Sequence, residues 1–263
     1  MAFVFNKKYP LMVDLEYRNA TLKWYSTDTE DIYPRHIKEN GPNWRWENVD
    51  IEYKFNSMGY RSKEIDDVDD NFMIGFGCSY TEGVGIHEQD VWLPKVARRL
   101  GMDYVNLAKQ SSGMDIQAYN AILYKNSGLK LPKLVVVQWP QMFRYSFGYL
   151  NRKMNSVELW DRSYENSVDG KWWTKRYIQD PGCMMINVLT WYHSFNNTWE
   201  SLGVPVVNFS WELDLVEELQ YSKTPCHFID PEGVGSTQAR DCCHDAPEFH
   251  DLTVEKLFDL KVF

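Results

Sequence analysis

A serine just beyond a short apolar run, and an aspartate and histidine three residues apart near the other end of the chain, are the residues best suited to covalent chemistry. The apolar run is Phe72-Met-Ile-Gly-Phe76, and the loop after it reads Gly77-Cys-Ser-Tyr-Thr-Glu-Gly83. Ser79 therefore sits where a turn can lift its hydroxyl to the top of a sheet, with backbone N–H groups able to face a developing oxyanion. A serine hydroxyl is a weak nucleophile until a base takes its proton, and that base needs a partner to orient it. Asp241-Cys-Cys-His244 supplies both on one loop, the aspartate holding one ring nitrogen and leaving the other for the serine. Each feature alone has a plainer use: serine is a common cap and turn residue, and Asp-x-x-His arises often by chance.

Rival chemistries lack their residues. A dinucleotide fingerprint needs glycine at the third position of G-x-G-x-x-G, where Tyr80 stands, and no phosphate-binding G-x-x-x-x-G-K-[ST] occurs. Cys242, Cys243, His244, His250 and Asp251 cluster in sequence, but adjacent cysteines seldom chelate one tetrahedral ion and no second C-x-x-C or H-x-x-x-H exists. No metal or cofactor is expected, and His250 reads as a surface or capping residue of the last helix. Cys78 reads as a small buried apolar group. Trp160, Trp172, Trp173, Trp191 and Trp199 could line a carbohydrate or acyl pocket, although core or lid packing is the ordinary use of large aromatics. His36, His87, His193 and His227 have no motif around them.

The chain has 263 residues, 44% hydrophobic and 15% aromatic, enough to bury a full core without a staple. Its net charge of -9 argues against a nucleic-acid partner, which needs clustered Lys and Arg. Five cysteines, an odd number with two adjacent, fit a reducing compartment better than a disulfide framework. With no apolar run of about 18 residues and no apolar stretch of signal-peptide length at the start, a cytoplasmic protein with no membrane span is expected.

The elements that must position these residues follow from the hydrophobic pattern. Residues 1–70 read as an irregular, partly β extension packed on the core, with Ile51-Glu-Tyr-Lys-Phe-Asn56 alternating like a half-buried strand, and Asp66 to Asp70 as a solvated boundary. Residues 71–263 alternate strands and helices: strands at 72–76, 104–107, 134–139, 204–209 and 227–229, helices near 90–100, 115–125, 184–202 and from Pro247, with a long polar connection before the third helix. Such alternation predicts a mostly parallel sheet with helices on both faces, and ligands of such sheets bind beyond the carboxyl ends of the strands.

The motifs resemble those of SGNH (GDSL-type) serine hydrolases. Gly77-Cys-Ser79-Tyr-Thr-Glu-Gly83 is similar to their first block and Asp241-Cys-Cys-His244 to their last. Tyr53-Lys-Phe-Asn-Ser-Met-Gly-Tyr-Arg61 is similar to an Asn-x-x-Gly-Phe-Arg segment that precedes the catalytic domain in some members. Asn106-Leu-Ala-Lys-Gln-Ser-Ser-Gly113 resembles the second block. The resemblance implies a three-layer α/β/α sandwich with a flavodoxin-like sheet, and hydrolysis of a short acyl or O-acetyl ester on a glycan, lipid or small molecule. It makes Ser79 the nucleophile, His244 the base, Asp241 its partner, and the N–H groups of Ser79 and Gly113 the oxyanion hole. The chain departs from the family at Cys78, where an aspartate is usual, and at Gln138-Trp-Pro-Gln141, where Gly-x-Asn-Asp should supply a side-chain donor. Gln138, Gln141 or Arg144 could substitute; without a substitute the chain would be a weak or inactive member serving as a binding or virion-associated structural protein. A block of this kind, with a Trp and an Arg soon after, resembles phage-encoded and marine members.

Overall fold

A computed structural model describes residues 3–4, 11–148, 153–158, 181–230 and 237–263. The N-terminal part carries β1 (Phe3–Val4), β2 (Val13–Asp14), β3 (Thr21–Leu22), α1 (Tyr33–Asn40) and β4 (Tyr53–Lys54). Next come β5 (Phe72–Phe76), α2 (Ser79–Glu82), α3 (Trp92–Leu100), β6 (Asp103–Asn106), α4 (Met114–Lys125) and β7 (Leu134–Gln138). The chain continues through β8 (Arg144–Gly148), β9 (Lys153–Glu158), α5 (Pro181–Glu200), β10 (Val206–Ser210), α6 (Leu213–Leu219), β11 (Cys226–Phe228) and α7 (Pro247–Asp259).

Five strands pair in parallel in the order β6-β5-β7-β10-β11. Numbered among themselves that is 2-1-3-4-5, the flavodoxin-like order, which places the topological switch between β5 and β7 and makes the loop after β5 part of the crevice. β5 is buried at every position, as a strand covered on both faces must be, which is why its residues are apolar without alternation. On one face α3 and α7 pack Trp92, Leu93, Val96, Val254 and Leu257 with Met73, Val136 and Phe209. On the other, α4, α5 and α6 bring Met114, Ala118, Val188, Phe195 and Leu215 to Ile74, Phe76, Val135 and Val137. Each fully buried side chain of this kind contributes about 1.5–3 kcal/mol, so the two cores hold the sandwich shut.

The N-terminal segment is not an outer layer alone. Leu11, Val13, Met58 and Tyr60 join one core, while Tyr25, Trp46, Ile51, Tyr53 and Phe55 join the other. The alternation is real in burial from Ile51 to Phe55, Glu52 and Lys54 being exposed, and ends at the buried Asn56; only Tyr53 and Lys54 are laddered as strand, against Leu22 and Thr21. The polar connection after β7 is not structureless either. β8 and β9 form an antiparallel hairpin that pairs through β9 with β1 and so with β2. Tyr145 and Phe147 alternating with Ser146 were the available signal, diluted by a four-residue connection and polar β9. Among the described residues no helix is long and apolar enough to cross a membrane.

Candidate active site

α2 begins directly where β5 ends, with Cys78 extended before Ser79, so the serine stands at the carboxyl end of a central strand. Gly83 closes this single turn in the left-handed region at φ 83°, its N–H donating to the Ser79 carbonyl at 2.9 Å. A Cβ there would lie 2.3 Å from Val91 Cγ2, so both conformation and space require glycine. Arg61, at the end of the Asn56 to Arg61 segment, is 1% exposed and donates to the carbonyls of Gly83, Ile86 (3.0 Å) and Glu52 (3.1 Å). Asn56 shapes that segment by accepting from the N–H groups of Met58 and Tyr60, both at 3.0 Å. The segment thus buttresses the turn that presents Ser79.

The loop from Asn106 to Gly113 is tied to the same turn. Asn106 Nδ2 donates to Thr81 O at 2.7 Å, Gln117 Nε2 to Gly77 O at 2.9 Å, and the Gln110 N–H to Glu82 Oε2 at 2.7 Å. Lys109, 1% exposed, pairs with Glu82 Oε1 at 3.1 Å and Asp14 Oδ2 at 3.2 Å and donates to Tyr25 Oη at 2.8 Å. Gly113 caps α4, and a Cβ on it would lie 2.5 Å from the Arg144 carbonyl. Only glycine lets β8 start this close to the loop.

Asp241 and His244 are delivered by a tight loop. The Asp241 Oδ1 atom accepts from the N–H groups of Cys243 and His244, both at 3.1 Å, while Ala239 N–H donates to His244 O at 2.9 Å. Cys242 takes a positive φ of 53° at the bend. His244 Nδ1 lies 2.5 Å from Asp241 Oδ2, and His244 Nε2 lies 2.7 Å from Ser79 Oγ. The three side chains singled out by sequence position, spacing and the resemblance therefore form one hydrogen-bonded chain, 165 residues of sequence separating its first link. Asp241 is fully buried; Ser79 is 7% and the His244 side chain 11% exposed, so the chain opens to solvent at the serine end. Burial works against the Asp241 charge, but bonds from His244, Thr27 and Cys243 outweigh it and hold the carboxyl below its ordinary value of 3.8.

An aromatic wall adjoins the imidazole. The Tyr80 ring is 4.9 Å from that of His244 and 4.8 Å from Trp211, which in turn is 5.2 Å from Phe249. Burial, aided by Asp245, pushes the Tyr80 phenol well above its usual range, so it stays neutral beside the histidine.

The other sequence candidates separate. Gln138 is fully buried beneath the serine turn, its Oε1 accepting from Thr81 Oγ1 (3.1 Å) and Cys78 Sγ (3.4 Å) and its Nε2 donating to Trp139 O (2.9 Å). It braces the turn and is no substitute oxyanion donor, a correction to the sequence expectation. Gln141 is half-buried in the connection before β8. Arg144 is buried, its backbone over Gly113 and its charge bearing on Tyr80 and Glu212.

His250 is on the last helix but is neither surface nor cap: it is 1% exposed, and its Nδ1 accepts the Trp92 N–H at 3.2 Å. Asp251 pairs with Lys95 at 2.5 Å, so His244, His250 and Asp251 point to three different partners rather than to one ion. Trp199 is buried in the core and Trp191 packs against it, whereas Trp160, Trp172 and Trp173 lie outside the described residues. Sequence reading missed Thr27, whose Oγ1 is 2.6 Å from Asp241 Oδ2, and the buried trio Asp14, Glu82 and Lys109. Glu82, three residues past the serine, was the one visible signal for the trio; nothing in the sequence singles out Thr27.

No family model and no curated protein matches the chain. Among solved structures it is similar to TesA, at 14% identity and a TM-score of 0.45 over 73% of this chain and 100% of that one. It is also similar to the acetyl xylan esterase Est2A of the rumen bacterium Butyrivibrio proteoclasticus (12% identity, TM-score 0.45, 73% of this chain and 65% of that one). A third is a family two carbohydrate esterase from Clostridium thermocellum in complex with cellohexaose (14%, TM-score 0.34, 73% of this chain and 65% of that one). The chain thus spans about two thirds of the length of the two carbohydrate esterases, and the chemistry of the site is read from its own geometry.

Proposed function

We propose that this protein is a serine ester hydrolase working through Ser79, His244 and Asp241. The observation that carries the reading is the unbroken hydrogen-bonded chain from Ser79 Oγ through His244 to the buried Asp241 carboxylate. With Asp241 accepting from the Nδ1–H, His244 presents a lone pair at Nε2, and the serine hydroxyl donates to it. Ser79 Oγ attacks the ester carbonyl as His244 takes its proton; collapse of the tetrahedral adduct expels the alcohol, which leaves with that proton. Water, deprotonated by the same imidazole, then attacks the acyl-serine; collapse releases the acid as the imidazolium returns the proton to Ser79 Oγ.

The oxyanion is held by the N–H groups of Ser79, at a helix start whose first donors have no intrahelical acceptor, and of Gly113. Arg144 replaces the side-chain donor that the third block would provide. What supports it over Gln138 is position, since its backbone abuts Gly113 and its charge is felt at Tyr80, next to Ser79. A short acyl or O-acetyl group is the substrate that the resemblance to SGNH hydrolases favours, with the alcohol side lying along Tyr80 and Trp211.

The test is labelling with a fluorophosphonate probe, Ser79→Ala serving as control, followed by a panel of acetylated sugars and p-nitrophenyl esters of graded chain length. Ser79-dependent labelling and preference for short chains are expected. Absence of any Ser79-dependent labelling would leave the non-catalytic reading, a binding or virion-associated protein on the same fold.

A further inference from the structure

The imidazole and the loop's own N–H groups account for three of the four donors on the Asp241 carboxylate. The fourth comes from the N-terminal segment, 214 residues away: Thr27 Oγ1 at 2.6 Å from Oδ2. We infer that Thr27 is a positioning residue of the triad, acting on the reaction through Asp241; the inference rests on the Ser79, His244 and Asp241 reading above.

A threonine hydroxyl has one proton, and an ionised carboxylate can only accept, so Thr27 donates. It does so to the oxygen that also receives His244 Nδ1, leaving two donors on each carboxylate oxygen and blocking rotation of the group. Thr27 as a residue is exposed, where a hydroxyl ordinarily turns to water; here it points at a fully buried carboxylate.

Its own placement is over-determined. Tyr25 and Asp28 exchange N–H to O bonds at 2.8 and 3.0 Å around a two-residue turn, with Ser26 at φ 61° as such turns require. Asp28, next to Thr27, grips Arg240, next to Asp241: Arg240 Nε lies 2.9 Å from Oδ1 and Nη2 2.5 Å from Oδ2, with both side chains 2% exposed. Tyr53 Oη donates to the same Asp28 carboxylate at 2.5 Å. The ion pair sets the register of two chain segments so that the neighbouring residues, 27 and 241, meet.

Two consequences separate this role from simple packing. Removing the donor frees the carboxylate to rotate, which lowers kcat more than it changes KM. It also leaves more negative charge for the imidazole, stabilising its protonated form and moving the acid limb of the kcat/KM profile to higher pH. The other titratable groups bearing on this pair stay in place: Asp245, Cys242 and Cys243 on the same loop, Tyr80 on α2 and His250 on α7, with Arg35 and Glu39 of α1 acting on Cys242.

The experiment compares full-length wild type, Thr27→Val and Thr27→Ser in p-nitrophenyl acetate hydrolysis across pH and in the rate of fluorophosphonate labelling. For Thr27→Val, on the order of tenfold lower kcat at similar KM is expected, the size of one hydrogen bond to a charged group, with the acid limb raised. Thr27→Ser, which keeps the hydroxyl, should recover to within about twofold and restore the profile. Should the valine variant not fold, Thr27→Ala against Thr27→Ser carries the same comparison. Equal losses in the hydroxyl-free and serine variants, or a hydroxyl-free variant with wild-type kcat and pH profile while Ser79-dependent labelling persists, would overturn the role of Thr27 and leave the triad standing. If wild type itself shows no Ser79-dependent labelling or hydrolysis, the triad fails and this inference with it.

Discussion

Asp241 holds its charge in a fully buried position because every acceptor site on it is used, and that makes it a sensitive residue to change. Asp241→Asn keeps the shape but offers His244 an amide where it needs a carboxylate, so the wrong tautomer is favoured; kcat should fall by about 10⁴-fold with the fold intact, as measured by steady-state kinetics and circular dichroism. In the proposed reaction Gly113 and Arg144 act on the oxyanion together with the Ser79 N–H. Gly113→Ala drives a methyl against the Arg144 carbonyl, 2.5 Å away, and Arg144→Met removes a charge. Each should lower kcat by roughly 100- to 1000-fold, the usual cost of one oxyanion donor, and the double variant should lose less than the product if both act on one oxygen. A kinetic double-mutant cycle checks this.

Helix α7 starts three residues after His244, and its Pro247 sits in the first turn, where a missing N–H costs nothing and a fixed φ helps set the exit of the loop. The helix is anchored to α3 by His250, which is neutral because burial pushes its pKa from 6.5 to about 3, with Lys95 adding to the shift. The folded value lies below the unfolded one, so the unfolded chain binds more protons between these limits. Stability is full above pH 6.5 and declines as pH falls toward 3, by about 1.4 kcal/mol per unit from this group. His250→Asn, which keeps an acceptor for the Trp92 N–H but cannot charge, should flatten the decline in urea denaturation between pH 4.5 and 7 at ~1 unit intervals. Periodicity had marked α7 and the parallel strands, because strands covered on both faces leave unbroken apolar runs such as Phe72–Phe76. It had not marked the burial of His250, since one polar residue on an amphipathic helix looks alike whether it faces water or a hydrogen-bond donor from α3.

At the scale of the whole molecule, buried ion pairs join segments that are remote in sequence. Asp28 and Arg240 are 212 residues apart and almost fully enclosed. Arg240→Met would strand the Asp28 carboxylate in the interior and should cost about 3–5 kcal/mol in chemical denaturation. The exposed Arg45 to Glu248 pair also links the two ends of the chain, yet with side chains 44% and 47% exposed, Arg45→Ala should cost less than about 1 kcal/mol. The contrast tests whether the N-terminal segment is held by enclosed charge or by surface contacts. Because its aromatic residues enter both cores, the segment is also needed to complete them, and loss of Arg240 should lower activity together with stability.

The sequence by itself determined the kind of sheet, the strand from which Ser79 emerges, and the residue types that converge on it, because strand periodicity and the Asp-x-x-His spacing are local properties of the chain. Tertiary structure alone decided that Gln138 braces the turn instead of facing a substrate, that His250 is buried, and that Thr27 reaches Asp241. These outcomes depend on the side chain's direction relative to elements tens or hundreds of residues away. Hydrogen-bond geometry is decided within a few tenths of an ångström, and only the packed fold sets distances on that scale.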